Sequence, residues 1–335
     1  MREEIRSELY RTMDAVLPRA AKRVLLADCP NYANVGDSAI MIGELDLLRR
    51  LRPAYKVSVN DVDSFVSHHE SSLNRFDAIL LNGGGNFGDL WPRHQDFRLR
   101  LLDRLKDRPV IQMPQSIHFD GVDALERTKR AIGACRSFTL LVRDHQSLAF
   151  AEREFDCETR LCPDAAFGID QFPDVVPEHA VFGLLRTDKE RMPASDGLRT
   201  AVLAATDDCV LGDWVEETPS RNSRRLGRLN RLRVNYSALM RVTDGLHSFA
   251  FERLAHERLE RGLRQIGRGR VVVTDRLHGH LLAAFLGRAV VVMDSRGGKV
   301  ANFIKAFSHR MPNVHLAQDA GQAEELLRSL LRDPT

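Results

Sequence analysis

Short apolar runs alternate with amphipathic stretches through the first half of the chain. Runs at Arg23–Ala27, Tyr55–Val59, Asp77–Leu81, Val110–Met113, Thr139–Val142 and Thr159–Leu161 have the length and side chains of strands. Between them, apolar residues return every three or four positions over Ser38–Leu51, Phe97–Lys106, Gly121–Cys135 and Ser147–Phe155. That period predicts helices with one buried face. Strand and helix in strict turn build a parallel sheet with helices on both sides. The rhythm lapses at Gln171-Phe172-Pro173-Asp174-Val175-Val176-Pro177, a proline-bearing stretch that predicts a domain boundary.

A second alternation follows. Strands are expected at Ala180–Leu185, Cys209–Leu211, Val271–Thr274 and Ala289–Met293. Helices are expected at Asp196–Ala205, about Gly245–Ile266, Leu281–Leu286, Lys299–Phe307 and Ala320–Leu331. The expectation is an α/β protein of two Rossmann-like domains facing each other across a cleft. Residues 1–172 form the first, residues 178–318 the second, and residues 319–335 a C-terminal helix. A chain of 335 residues suits two such domains.

Composition narrows the class. The hydrophobic fraction of 43% is ordinary for a globular protein, and no window approaches eighteen apolar residues. Met1–Leu17 is charged from its second residue and lacks the apolar centre of a secretion signal, so a cytoplasmic location is expected. Five cysteines without a C-x-x-C pair point to reduced thiols, and Cys157 and Cys162 lack further ligands at zinc spacing. Ile5, Leu9, Met13 and Val16 predict an amphipathic start, read first as a helix packed on its own domain and second as a membrane contact. The net charge of +3 says less than its distribution: Arg221, Arg224, Arg225, Arg228, Arg231 and Arg233 fall in a stretch with no acid. A solvated face is the plain reading. Anionic lipid or a diphosphate-bearing acceptor is the functional one, and nucleic acid ranks last because no recognition motif accompanies the run.

Candidate chemistry collects at strand C-terminal ends, the edge where open α/β sheets hold ligands. Val271-Val272-Val273-Thr274-Asp275-Arg276-Leu277-His278-Gly279-His280 ends a buried strand with a fixed cation and an imidazole able to move protons near neutral pH. A surface arginine and a satisfied strand-end histidine are the plain alternative. Gly83, Gly85 and Gly88 formally spell G-x-G-x-x-G, but the dinucleotide reading fails. The motif follows the third strand, Asp89-Leu90-Trp91-Pro92 delays the helix, and the next strand ends in Pro114-Gln115-Ser116 without an acid. What remains is a loop kept bare at Gly84 and Gly85 for a ligand, with Asn86 and Asp89 beside it. Asn34 and Asp37 follow the first strand, where Asp37 also reads as a helix cap. Gln115, Ser116 and His118, then Arg143 with Asp144, then Asp164, end later strands. Together they suggest a polar site of polyol size.

In this order the motifs resemble the polysaccharide pyruvyl transferases. The resemblance rests on Asn34-Val35-Gly36-Asp37, Gly83 to Asp89, Pro114-Gln115-Ser116, Arg143-Asp144 with Ser147, Pro163-Asp164 and Thr274 to Gly279, and runs from about Tyr32 to Phe307. It implies a glycosyltransferase-B-like (GT-B-like) fold and transfer of pyruvate from phosphoenolpyruvate, as a ketal, to two hydroxyls of a polysaccharide or lipid-linked oligosaccharide. No metal or other cofactor is implied. Arg276, Leu277 and His278 match the donor-binding and catalytic motif, and Arg186 is similar to a second donor-binding arginine. Lys299, after Arg296-Gly297-Gly298 at a helix start, adds a third positive charge in this reading; a solvated lysine is the plain one. His278 is the expected proton donor, and Asp37, Asp89 or Asp164 the base, with no choice made among them. Asn34, Gly84, Gly85, Asn86, Gln115, Ser116, His118 and Arg143 would face the acceptor. A lipid-linked acceptor suggests peripheral contact with the inner face of the cytoplasmic membrane, through Arg221–Arg233 or the amphipathic start; the arginine run itself is not part of the family pattern, and its role stays open. The runner-up is a GT-B glycosyltransferase using a nucleotide sugar, with Asp294 on the ribose. A non-catalytic carbohydrate-binding subunit ranks third. The oligomeric state is left open.

Overall fold

The computed structural model describes residues 1–63, 73–187, 194–214, 217–236, 240–294 and 298–332. Two parallel sheets organise it. In the first, β1 (Arg23–Ala27) lies between β2 (Lys56–Val59) and β3 (Ala78–Leu81), and β5 (Val110–His118), β6 (Phe138–Val142) and β7 (Glu158–Leu161) continue beyond β3. In the second, β8 (His179–Leu184) lies between β9 (Cys209–Gly212) and β10 (Gly269–Thr274), followed outward by β11 (Ala289–Met293) and β12 (Val314–Ala317). Each order reverses once, between β1 and β3 and between β8 and β10. Doubly wound sheets open a ligand crevice at such a reversal, outside the strand C-termini. Two Rossmann-like units with these edges opposed give the GT-B-like arrangement.

The helices are α1 (Arg2–Val16), α2 (Val35–Leu51), α3 (Pro92–Arg104), α4 (Val122–Ala134), α5 (His145–Glu154), α6 (Ala194–Ala205), α7 (Arg221–Asn235), α8 (Met240–Gly267), α9 (Leu277–Phe285), α10 (Lys299–Ala306) and α11 (Ala320–Arg332). No helix among the described residues is long and apolar enough to cross a membrane.

Strand side chains alternate between faces, and the alternation sorts the core into layers. Leu25, Ala27, Ile79, Leu81, Leu140 and Val142 face an outer cluster with Phe87 and Phe97. Val24, Leu26, Ala78, Leu80 and Leu141 face the opposite way, into a central cluster that also takes Phe182, Leu184, Val272, Val290 and Val292 from the second sheet. Val181, Val271, Val273 and Val291 point to a third cluster under α6 and α11. The two sheets therefore share the middle layer, filled by α1, α2, α8 and α9. The expected boundary coincides with an irregular connection between Ile169 and Glu178, which joins the last strand of the first sheet to the first strand of the second.

Two expectations change and two open readings narrow. Gly84–Gly88 is not a loop but strand β4, paired with the second half of β5. Pro114 has no amide to donate, and β5 shifts register between Gln112 and Gln115, leaving β3 for β4. The helix expected at Leu281 begins at Leu277. The arginine-rich segment is helix α7, capped by Ser220, whose hydroxyl accepts from the Ser223 amide at 3.1 Å. Ile5, Leu9 and Met13 of α1 are fully buried, which leaves its apolar face unavailable to a membrane.

Candidate active site

A cavity of about 390 Å³ opens between the strand edges, lined from both halves. The first half contributes Tyr32, Asn34, Asp37, Gly85, Asn86, Trp91, His94 and Arg143, and the second Arg186, Trp214, Arg276, Leu277, His278 and Lys299. Four side chains with fixed positive charge and two imidazoles share a space large enough for a small anion and one sugar ring.

On the second-half side, Thr274 and Asp275 stitch β10 to β8. The Thr274 hydroxyl donates to the Leu184 carbonyl at 2.7 Å, and Asp275 accepts from the Arg186 amide at 2.9 Å and the Ser195 hydroxyl at 2.6 Å. Burial raises the Asp275 carboxyl above the usual carboxylate range despite these donors. Arg276 then leaves the strand end with its Nε and Nη2 forked on Asp213, both at 2.7 Å. Asp213, just past β9, also accepts from the Thr187 amide and hydroxyl. The indole Nε1 of Trp214 is buried in the cavity wall with no protein partner among the described residues.

His278 stands in the first turn of α9 and reaches the other half. A methyl group placed on Gly36 would lie 2.7 Å from His278 Nδ1, so glycine at the start of α2 is what admits the ring. Its Nε2 lies 3.2 Å from Asp164 Oδ2. Burial alone would raise the Asp164 carboxyl, but His278 and Arg143, whose Nη1 is 2.5 Å away, hold it far below the usual carboxylate range. Asp164 thus engages Nε2, and Nδ1 lies on the side of Gly36 in α2.

The first-half wall is equally organised. Asn34 caps α2, accepting from the Gly36 amide at 3.0 Å, and its Nδ2 donates to Asp37 at 2.7 Å. Burial raises the Asp37 carboxyl, only partly offset by His278. A methyl on Gly85 would sit 3.1 Å from Arg143 Nη2 and 3.9 Å from Lys299 Nζ, so this glycine keeps the cavity centre open between two cations. Gly88, in contrast, is bare for the neighbouring strand, because a methyl there would meet the His118 carbonyl at 1.7 Å.

A profile of the polysaccharide pyruvyl transferases matches residues 34–296. The chain belongs to the polysaccharide pyruvyl transferase family. Pyruvyl transferase 1 of Schizosaccharomyces pombe is 29% identical over 303 residues, covering 86% of this chain and 70% of its own. EpsO of Bacillus subtilis, which carries a provisional pyruvyl transferase name, is 28% identical and covers 93% of both chains. A crystal structure of a functionally uncharacterised protein from Klebsiella pneumoniae shares the fold, with a TM-score of 0.59 at 17% identity over 94% of this chain and 98% of that one.

Within this pyruvyl transferase, the cavity gathers Asn34, Asp37, Gly85, Asn86, Arg143, Arg186, Arg276, Leu277, His278 and Lys299 from the sequence-derived set. It does not gather the rest. Asp89 accepts the Asp120 and Gly121 amides at 2.9 and 2.6 Å, which makes it a turn-holding carboxylate rather than a base. His118 lies with it, 3.2 Å from Asp120. Asp164 is fully buried behind His278 and Arg143 and cannot meet a hydroxyl directly. Gln115 and Ser116 support from below: Gln115 Nε2 donates to Asn86 Oδ1 at 2.9 Å, and the Ser116 hydroxyl accepts from Arg143 Nε at 3.0 Å. Gly84 holds a positive φ of 129° in β4. Arg296 and Gly297 lie outside the described residues.

Tyr32, Trp91, His94, Asp213 and Trp214 were not anticipated. The His94 Nδ1 lies 2.6 Å from Asp28 Oδ1. Asp28 is buried at the end of β1 with φ 64°, a left-handed conformation that costs a non-glycine residue roughly 1–3 kcal/mol and marks functional sites. The buried Arg98 guanidinium, pushed down to about 10 by burial, ties Asp28 to Asn86, Gln95 and Gln112.

Proposed function

We propose that the chain transfers pyruvate from phosphoenolpyruvate to two hydroxyls of a carbohydrate and closes a pyruvate ketal. The observation that carries this reading is the sharing of one cavity by Arg186, Arg276, Lys299 and His278. Phosphoenolpyruvate carries a carboxylate and a phosphate, and guanidinium groups suit both anions. His278 delivers a proton to the methylene carbon, whose electron pair forms the new C–H bond and leaves an oxocarbenium-like carbon. One hydroxyl oxygen adds to that carbon, and its proton passes to a base. The bond from carbon to the phosphate oxygen breaks, phosphate leaves, and the neighbouring hydroxyl closes the ring. One hydroxyl proton is balanced by the new methyl hydrogen and the other departs with phosphate.

Asp37 is the base in this reading, since a carboxyl raised by burial holds a proton closer to neutral pH. His94, held by Asp28 across the cavity, assists on the acceptor side. The four cations take the place a metal would fill, so chelator should leave turnover unchanged. A lipid-linked acceptor, with the protein on the cytoplasmic side of the membrane, completes the proposal. The nucleotide-sugar alternative is weakened because Asp294 accepts the Val300 and Ala301 amides at 3.2 and 3.3 Å, capping α10.

The test incubates the protein with phosphoenolpyruvate and a panel of lipid-linked and nitrophenyl glycosides. Equal release of phosphate and gain of one ketal pyruvate on the sugar is expected. Phosphate release without a sugar adduct, or sugar transfer from a nucleotide sugar, would overturn the reading.

A further inference from the structure

The α7–α8 hairpin carries a surface that the cavity does not use. Leu226 and Arg233 form the inner face of α7, and the Arg233 guanidinium is buried against Asp244 at 2.9 Å and Asn60 at 3.3 Å. The outer face presents Arg221, Arg224, Arg225, Arg228 and Arg231, all exposed, with no acid anywhere in the helix. Arg221, Arg225, Arg228 and Leu232 fall on one stripe at helical spacing. At the tip, Leu232, Tyr236, Val242, Leu246 and Phe249 are 50–82% exposed, half of the large exposed apolar residues among those described. Val242, Leu246 and Phe249 share a face of α8, while His247, Phe251 and Leu254 face inward.

Two physical facts select the partner. An apolar prow of this size costs free energy in water unless something covers it. Arginines flanking it can bury their stems while their heads meet anions. We propose that this hairpin docks the protein peripherally on an anionic lipid bilayer, the tip entering the headgroup boundary and the arginines binding phosphate groups. A two-fold interface between copies would set five arginines against five arginines. The tip is mainly aliphatic, with Leu232, Val242 and Leu246 beside Tyr236 and Phe249, which suits a headgroup boundary better than a row of stacked bases. The hairpin is fixed to the end of β2, where His247 Nδ1 lies 3.0 Å from the Val59 carbonyl and Ser248 binds the Val59 amide at 2.9 Å. That is the same strand edge as the cavity, so docking would bring the cleft toward the membrane surface. The inference does not depend on the phosphoenolpyruvate reading.

The test is co-sedimentation of the full chain with phosphatidylcholine vesicles, with and without about one third phosphatidylglycerol. Binding only to the anionic vesicles is expected, weakening with salt. Leu246→Glu with Phe249→Glu, and separately Arg225→Glu with Arg228→Glu, should each lower it at least about tenfold while the melting temperature is kept. Absence of binding to anionic vesicles, equal binding to neutral ones, or full binding by either variant would overturn the proposal. So would arginine-dependent binding to an oligonucleotide in place of vesicles, or a concentration-dependent dimer abolished by the same variants.

Discussion

The roles of single residues follow from where their hydrogen bonds are spent. Arg276 was legible as the cation at the end of a β-branched strand, and His278 as the imidazole beside it. Asp213, which takes two of the arginine's donors, was not, because a lone acid after a four-residue strand carries no signal until the fold brings it across. His94 was hidden for the same reason: its meaning comes from Asp28, sixty-six positions earlier. Since a fork cannot be replaced by a point charge, Arg276→Lys should lower kcat/KM for phosphoenolpyruvate by roughly 10²–10³. Asp213→Asn should raise KM more than it lowers kcat; steady-state kinetics on both variants checks this.

Buried histidines make stability depend on pH. Burial, then the Arg233 charge, pushes His247 down to about 4, and burial pushes His280 down to about 3. The unfolded chain binds protons at these rings near 6.5 while the native one does not, so stability falls as pH drops from 7 toward 4. Each ring accounts for roughly 2 kcal/mol between pH 7 and pH 5. Raised carboxyls such as Asp37 and Glu44 work in the opposite sense. The clean measurement is therefore a difference: urea unfolding of His247→Gln should show a pH 7 to pH 5 loss smaller by about 2 kcal/mol than the parent's. An equal loss would show that His247 is not held neutral.

Among the elements, long periodic helices and apolar strands were legible in place and type, although the starts of α2, α3 and α8 and the end of β5 lie three to five residues beyond the expected bounds. The misreadings are physical. β4 escaped because glycines with positive φ look like a loop, although here they let two backbones approach. β12, of only four residues, lacks a pattern long enough to stand out. The start of α9 was placed late because Arg276 to Gly279 reads as chemistry before it reads as helix. The junction of α2 and α9 is tight enough to test. Gly36→Ala should push the His278 ring aside and cost about 10²-fold in kcat, with the fold intact. Unchanged turnover would place the ring elsewhere.

For the whole molecule, two sheets were visible in the alternation, but their common middle layer was not, since local periodicity never reveals what lies on the far side of a face. Because Leu26, Val272, Leu281 and Phe303 belong to one central cluster, the halves should unfold together. Calorimetry should give a single transition, and Leu281→Ala should lower it as one, at a cost of roughly 2–5 kcal/mol. Two separated peaks would mean independent domains.

Everything chemical rests on the second half gripping a small phosphorylated enol acid. The most direct measurement is calorimetric titration of phosphoenolpyruvate, and separately of a nucleoside diphosphate, into the parent protein and Arg276→Lys. The account predicts one phosphoenolpyruvate per chain in the parent, loss of that binding in the variant, and no heat from the nucleotide. Saturable nucleotide binding with none for phosphoenolpyruvate would contradict it.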